Sequence, residues 1–265
     1  MKKLSIITIN YNNLKGLRKT RESILSQSFS DYEWIVVDGG SDDGGKDFIL
    51  EHQEEMAWWC SERDKGIYNA QNKGVAKAKG EYLLFLNAGD TLLAADTLER
   101  VFACAADADV VYGDWIEQKK WGQRKVCTAP ESIDYYLFAT RTICHQAAFI
   151  RTSLLKQSPY DESYRICADW AKWVELSRQG CKFQHVPVAV CLYLRDGVSY
   201  HSVKQKEAEH KRILSEFYPK ELAEVLGTQI EKNNRRLRIV RRLIWLSCCL
   251  LFALLALLLW AFLGA

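Results

Sequence analysis

The sequence predicts an α/β fold on a mostly parallel sheet, held in one domain with an apolar tail behind it. Three observations predict it. Short β-rich runs alternate with helical segments through the first half of the chain. Asparagine, aspartate and glycine cluster just after those runs, where the ligands of a parallel sheet collect. Charge is absent from residues 243–265, whereas the rest has an ordinary globular make-up.

The elements follow in order. Residues 4–10 read as a strand and 14–27 as a helix. Residues 34–38 form a second strand, 46–53 a helix, 57–61 a third strand and 66–78 a helix. A fourth strand at 82–86, a helix at 97–105 and a fifth strand at 110–112 continue the alternation. After Gly113 the pattern loosens, with strands expected near 125–127 and 147–150, a helix at 169–178, and strands at 183–186 and 190–194. No internal repeat or low-complexity linker divides the chain, so residues 1–202 read as one domain. Residues 203–242 are helix-prone and carry both charges, which suits one or two helices leading to the tail.

Composition excludes several classes. The net charge of +3 is too small for a nucleic-acid partner, and much of it lies in Arg235, Arg236, Arg238, Arg241 and Arg242. Nine cysteines form no CxxC pair, as expected of small buried hydrophobes in a reducing compartment rather than of zinc ligands. Met1-Lys2-Lys3 leads into an apolar run too short for a signal peptide; a buried first strand explains it better.

As a helix, residues 243–265 would span about 34 Å at ~1.5 Å per residue, enough for a ~30 Å hydrocarbon core. Trp245 and Trp260 stand toward its two ends, where indoles favour the interfaces. The five preceding arginines place the N-terminal domain on the cytoplasmic side. The sequence therefore predicts a single-pass inner-membrane protein facing the cytoplasm, with a buried core helix as the alternative.

Four polar clusters end the first four strands: Asn10-Tyr11-Asn12, then residues 38–45 (DGGSDDGG), Glu62-Arg63-Asp64-Lys65-Gly66, and Asn87-Ala88-Gly89-Asp90. One such cluster is ordinary turn chemistry; four on one sheet edge argue for a site. The glycine-rich loop at 38–45 matches neither GxGxxG nor the P-loop, which removes support for dinucleotide or NTP-hydrolase readings.

These segments resemble the opening of family 2 glycosyltransferases. The likeness rests on Ser5-Ile6-Ile7-Thr8-Ile9-Asn10-Tyr11-Asn12, Ile24-Leu25-Ser26-Gln27-Ser28 and Trp34 through Gly44. Ser61 through Gly74 and Gly80 through Asp90 are similar to a subgroup acting in bacterial polysaccharide assembly. The resemblance covers roughly residues 3–200 and implies the GT-A fold. It implies that Thr8, Asn10 and Tyr11 border a nucleoside, with the Tyr11 ring against the base, and that Asp38 accepts from the base imide, favouring uracil. Arg63 and Asp64 would lie near the ribose and diphosphate, and Lys73 would offset phosphate charge. Asn87 and Asp90 occupy the place of the family's DxD metal motif; only Asp90 keeps a carboxylate there, for a divalent cation, Mg2+ or Mn2+. Asp169 would be the base toward the acceptor, and His145 would line the acceptor side. Asp114 would border the pocket, and Arg195-Asp196-Gly197-Val198-Ser199 resembles a loop that closes over the donor. Bland readings stand beside these: a turn for Asp38, helix N-caps for Asp90 and Asp169, an exposed lysine for Lys73, a core histidine for His145.

The function implied is metal-assisted, inverting transfer of one sugar from a nucleotide-sugar to a lipid-linked glycan at the inner leaflet. The alternative is a catalytically silent, membrane-tethered module that binds sugar or nucleotide.

Overall fold

The computed structural model describes residues 2–119, 122–194, 202–230, 232 and 236. It falls into two compact units, Met1–His210 and Lys211–Ala265. The predicted membrane segment, residues 243–265, and the loop Arg195 to Ser199 lie outside the described residues. Among the described residues no helix is long and apolar enough to cross a membrane.

The first unit alternates as the sequence predicts. Strand β1 (Leu4–Asn10) leads into α1 (Leu14–Leu25), β2 (Tyr32–Asp38), α2 (Gly45–Glu51), β3 (Trp58–Ser61), α3 (Ile67–Lys77) and β4 (Tyr82–Phe85). These four strands run parallel in the order β3-β2-β1-β4. Their near-continuous apolar runs are buried, because helices cover a parallel sheet on both faces. Helix α1 starts where Asn13 caps it, its side chain accepting from the Gly16 amide at 3.0 Å. Leu17, Thr20 and Ile24 then turn inward, three and four residues apart.

The second half departs from the predicted parallel sheet. Strand β5 (Thr91–Leu92) and helix α4 (Thr97–Cys104) precede β6 (Val110–Gln118) and β7 (Arg124–Cys127); β8 (Ala148–Arg151), α5 (Thr152–Gln157), α6 (Ala168–Arg178) and β9 (Phe183–Leu194) follow. Strand β8 lies antiparallel between β4 and β6; β6 pairs parallel with β9, and β5 and β7 join antiparallel at the margin. The sheet is therefore mixed. The physical reason is that β8 returns from an irregular stretch rather than through a crossover helix.

The two strands expected at 183–186 and 190–194 are one. Pro187 interrupts the apolar pattern without ending the strand, because the pairing with β6 shifts register around Tyr112, Asp114 and Trp115. Gly113 sits at that irregularity, where a Cβ would clash with the Val188 carbonyl oxygen. Helix α7 (Val203–Phe217) follows, then a second helix at residues 220–230.

Candidate active site

The carboxyl ends of β1 to β4 share one edge, with the turn that opens β8 and the start of α6 beside them. Asp38 ends β2 and is fully buried. Its carboxylate accepts five hydrogen bonds: Asn10 Nδ2 at 2.7 Å, Ser41 Oγ at 2.5 Å, Ser61 Oγ at 2.6 Å, and the amides of Gly40 at 3.2 Å and Ser41 at 2.9 Å. Burial alone would raise its pKa, but the bonds from Ser41, Ser61 and Asn10 outweigh it and hold the carboxyl below the usual range. Asp38 therefore fastens β1, β3 and the glycine loop together. A direct bond to a base imide does not fit an acceptor so filled. Thr8 is also fully buried, accepting from Trp34 Nε1 at 3.0 Å, and lines no opening. Asn10 is 4% exposed, so of the three residues expected at the nucleoside only Tyr11, 68% exposed, presents a surface.

Tyr11 and Asp64 meet one residue beyond Asp38, at Gly39. A Cβ at Gly39 would fall 2.7 Å from Asp64 Oδ2 and 3.1 Å from Tyr11 Cδ2. The bare glycine thus lets an aromatic ring and a carboxylate close in side by side on the backbone just past Asp38. Asp64 Oδ1 accepts from the Gly66 amide at 2.8 Å, and Gly66 has φ of +126°, a region that L side chains avoid. Arg63 is exposed beside it. Lys73 is not free: it pairs with Glu62 at 2.7 Å, a bond that raises its pKa.

The turn after β4 is tied to α1. Asn13 Nδ2 donates to the Ala88 carbonyl at 2.8 Å, and Thr20 Oγ1 donates to the Asp90 carbonyl at 2.7 Å. Asn87 sits there with its Oδ1 buried and unpaired. Asp90 is 6% exposed; Oδ1 accepts from the Leu194 amide at 3.1 Å and Oδ2 from Gln146 Nε2 at 3.0 Å. Among the described residues no group of three or more His, Cys, Asp or Glu could hold a metal ion. The residues expected at the metal do not fit a protein-held cation: the one carboxylate is used to join β4, β9 and the turn before β8. Asp90 caps no helix either, since β5 follows it.

Asp169 stands in the first turn of α6, half-buried, two residues after the N-cap Cys167. Its Oδ1 lies 3.0 Å from Tyr68 Oη, whose hydrogen also faces the Ile166 carbonyl at 2.6 Å. Tyr68 comes from α3, so the donor edge and α6 meet at this hydroxyl. Burial and the nearby Asp169 charge keep the Tyr68 and Tyr160 phenols protonated. His145 stacks on Phe85 at 4.8 Å and meets Tyr160 edge-on at 6.2 Å. Its Nε2 is buried without a partner, and burial lowers its pKa against the opposing pull of Asp169. Burial thus disfavours the charged imidazolium, and the ring serves as an aromatic wall against Phe85 and Tyr160. Asp114 pairs with His185 at 3.0 Å and accepts from the Ala129 amide at 2.9 Å, a structural use.

A model of the family described as glycosyl transferase family 2 matches residues 5–169, from β1 to Asp169. The chain belongs to that family. It is a glycosyltransferase, which sets aside the silent-module alternative. A PGL/p-HBAD biosynthesis glycosyltransferase of Mycobacterium bovis is 35% identical over 214 residues, 77% of this chain and 81% of that one. An uncharacterized glycosyltransferase of Mycobacterium tuberculosis is 30% identical over 203 residues, 75% and 77% of the two chains. Among solved structures, TarS of S. aureus in complex with UDP-GlcNAc superposes with a TM-score of 0.63 at 16% identity, covering 86% of this chain and 71% of that one. The mannosyltransferase PcManGT of Pyrobaculum calidifontis, in complex with GDP-Man and Mn2+, gives 0.62 at 17%, covering 86% and 69%. These likenesses establish the fold of the glycosyltransferase, as the GT-A expectation required.

Sequence reasoning missed Tyr68, Gln146 and Tyr160. Tyr68 lay within a quoted motif, but nothing in its neighbours signals that it reaches α6.

Proposed function

We propose that this glycosyltransferase moves a single sugar from a nucleotide-sugar to an alcohol by inverting displacement, with Asp169 as the base. The observation that carries it is a half-exposed carboxylate at the start of α6, held by Tyr68 from the donor side of the cleft. The base of the donor stacks on Tyr11 above Gly39. With Asp38 filled, Asp64 Oδ2 is the acceptor left for an N–H of that base, and uracil N3–H makes UDP-sugars the first donors to test. Arg63 faces the diphosphate.

In the step itself, Asp169 takes the proton of the acceptor hydroxyl as its oxygen attacks C1. The bond from C1 to the diphosphate oxygen breaks on the opposite face, and the nucleoside diphosphate leaves with the electron pair. No step is assigned to a divalent cation.

Residues 243–265 anchor the domain to the inner membrane, with the arginines on the cytoplasmic side. An anchored domain meets a membrane-bound acceptor at raised effective concentration, which supports a lipid-linked glycan. The test is a panel of UDP- and GDP-sugars offered to membranes holding the full chain, with and without a lipid-diphosphate sugar. Release of nucleoside diphosphate should need the lipid acceptor. Equal release with soluble sugars, or with a chain ending before residue 243, would remove the membrane part of the reading.

A further inference from the structure

Residues 203–242 read in sequence as a charged stalk, yet the first compact unit runs to His210. Two adjacent residues of α7 inside that unit grip the segment carrying Asp169. Glu209 is 4% exposed. Its Oε1 accepts from the Arg165 amide at 2.8 Å and from Gln205 Nε2 at 2.8 Å; its Oε2 accepts from the amides of Ile166 and Cys167, both at 2.9 Å. Burial opposes the charge, but these bonds outweigh it and keep the carboxyl ionised, below its usual range. His210 packs its ring 3.9 Å from that of Trp170 and lies 3.1 Å from the Ala139 carbonyl. Trp170 Nε1 donates to the Phe138 carbonyl at 2.7 Å.

The peptide joining Ile166 to Cys167 is held from both sides. Its carbonyl faces Tyr68 Oη and its N–H faces Glu209 Oε2, while Asp169 follows two residues on. The Cys167 side chain makes no capping bond to α6, so the carboxylate of Glu209 supplies, from another helix, the anion that a helix N-terminus favours. Residues before Asp169 are fixed by Glu209, and Trp170 after it is fixed by His210.

We propose that Glu209 is a positioning residue that sets the orientation of Asp169 through the backbone of residues 165–167. The inference rests on the reading of Asp169 as the base. It also makes the start of the supposed stalk part of the catalytic unit.

The test uses the full chain in membranes with a donor identified by the panel above, reading kcat, donor KM and melting temperature. Glu209→Gln should lower kcat by about tenfold or more while donor KM stays within about twofold, because Tyr11, Arg63 and Asp64 are untouched. Glu209→Asp should recover part of that loss. In an Asp169→Asn background, Glu209→Gln should cost little further, since the group it positions is gone. Unchanged kcat in Glu209→Gln, a matching rise in KM, or a full additional loss on top of Asp169→Asn would each overturn the proposal. If Glu209→Gln does not fold, Gln205→Leu, which removes one donor to Oε1, should show the same split at a smaller size; an unchanged kcat there overturns it. Wild-type transfer by Asp169→Asn alone would instead sink the base assignment, whatever Glu209→Gln does.

Discussion

Five donors converge on the carboxylate of Asp38, two of them backbone amides that cannot turn away. Asp38→Asn puts an amide among them and strands at least one, which should cost about 1–3 kcal/mol of unfolding free energy, measured by denaturant titration. The sign with pH follows from the lowered pKa: the stabilisation is present above the unfolded carboxyl's pKa and fades as pH falls through the folded one. The wild-type advantage over Asp38→Asn should therefore shrink in acid. Asp64→Asn should leave stability alone and weaken UDP binding, by about tenfold on calorimetry; unaltered binding would return base recognition to another group. The sequence showed that both carboxylates belong to one edge. It did not show which one has an oxygen left over, because that depends on Asn10, Ser41 and Ser61 converging on Asp38.

At the scale of elements, α3 and α6 meet through the Tyr68 hydroxyl. Tyr68→Phe should reduce turnover several-fold and leave donor affinity unchanged in steady-state kinetics. The strand pair β6 and β9 makes a second prediction. Gly113→Ala drives a Cβ against the Val188 carbonyl oxygen and should destabilise the fold by about 1–3 kcal/mol. Elements with a clean apolar period, β1 to β4 and α1, α3, α4 and α6, were legible to within about two residues, the usual limit for element ends. The parallel course of β1 to β4 was legible from the alternation, but the direction of the later strands was not. Nothing local in Ala148 to Arg151 says that this strand runs antiparallel between β4 and β6, and Pro187 concealed the continuity of β9.

For the molecule as a whole, the edge where four polar clusters gather is the one that α6 and the turn before β8 complete. The gathering of the four clusters was legible from their places after the strands; the part of α6 and of the turn before β8 came only from the family resemblance. The use of the Asn87–Asp90 turn was not legible, since Leu194 and Gln146, which occupy Asp90, lie far along the chain. Because the carboxylate of Asp90 is already taken up by the Leu194 amide and Gln146 Nε2, Mn2+ without nucleotide should not shift the melting temperature. A shift saturating at micromolar metal would contradict that account. The central claim is that Asp169 does chemistry without holding the donor. The direct measurement is nucleoside diphosphate release by Asp169→Asn beside its calorimetric affinity for the same nucleotide. Turnover should fall by at least about a hundredfold, the scale of a lost general base, with nucleotide affinity unchanged. Turnover at the wild-type rate, or affinity lost in parallel with it, would contradict the account.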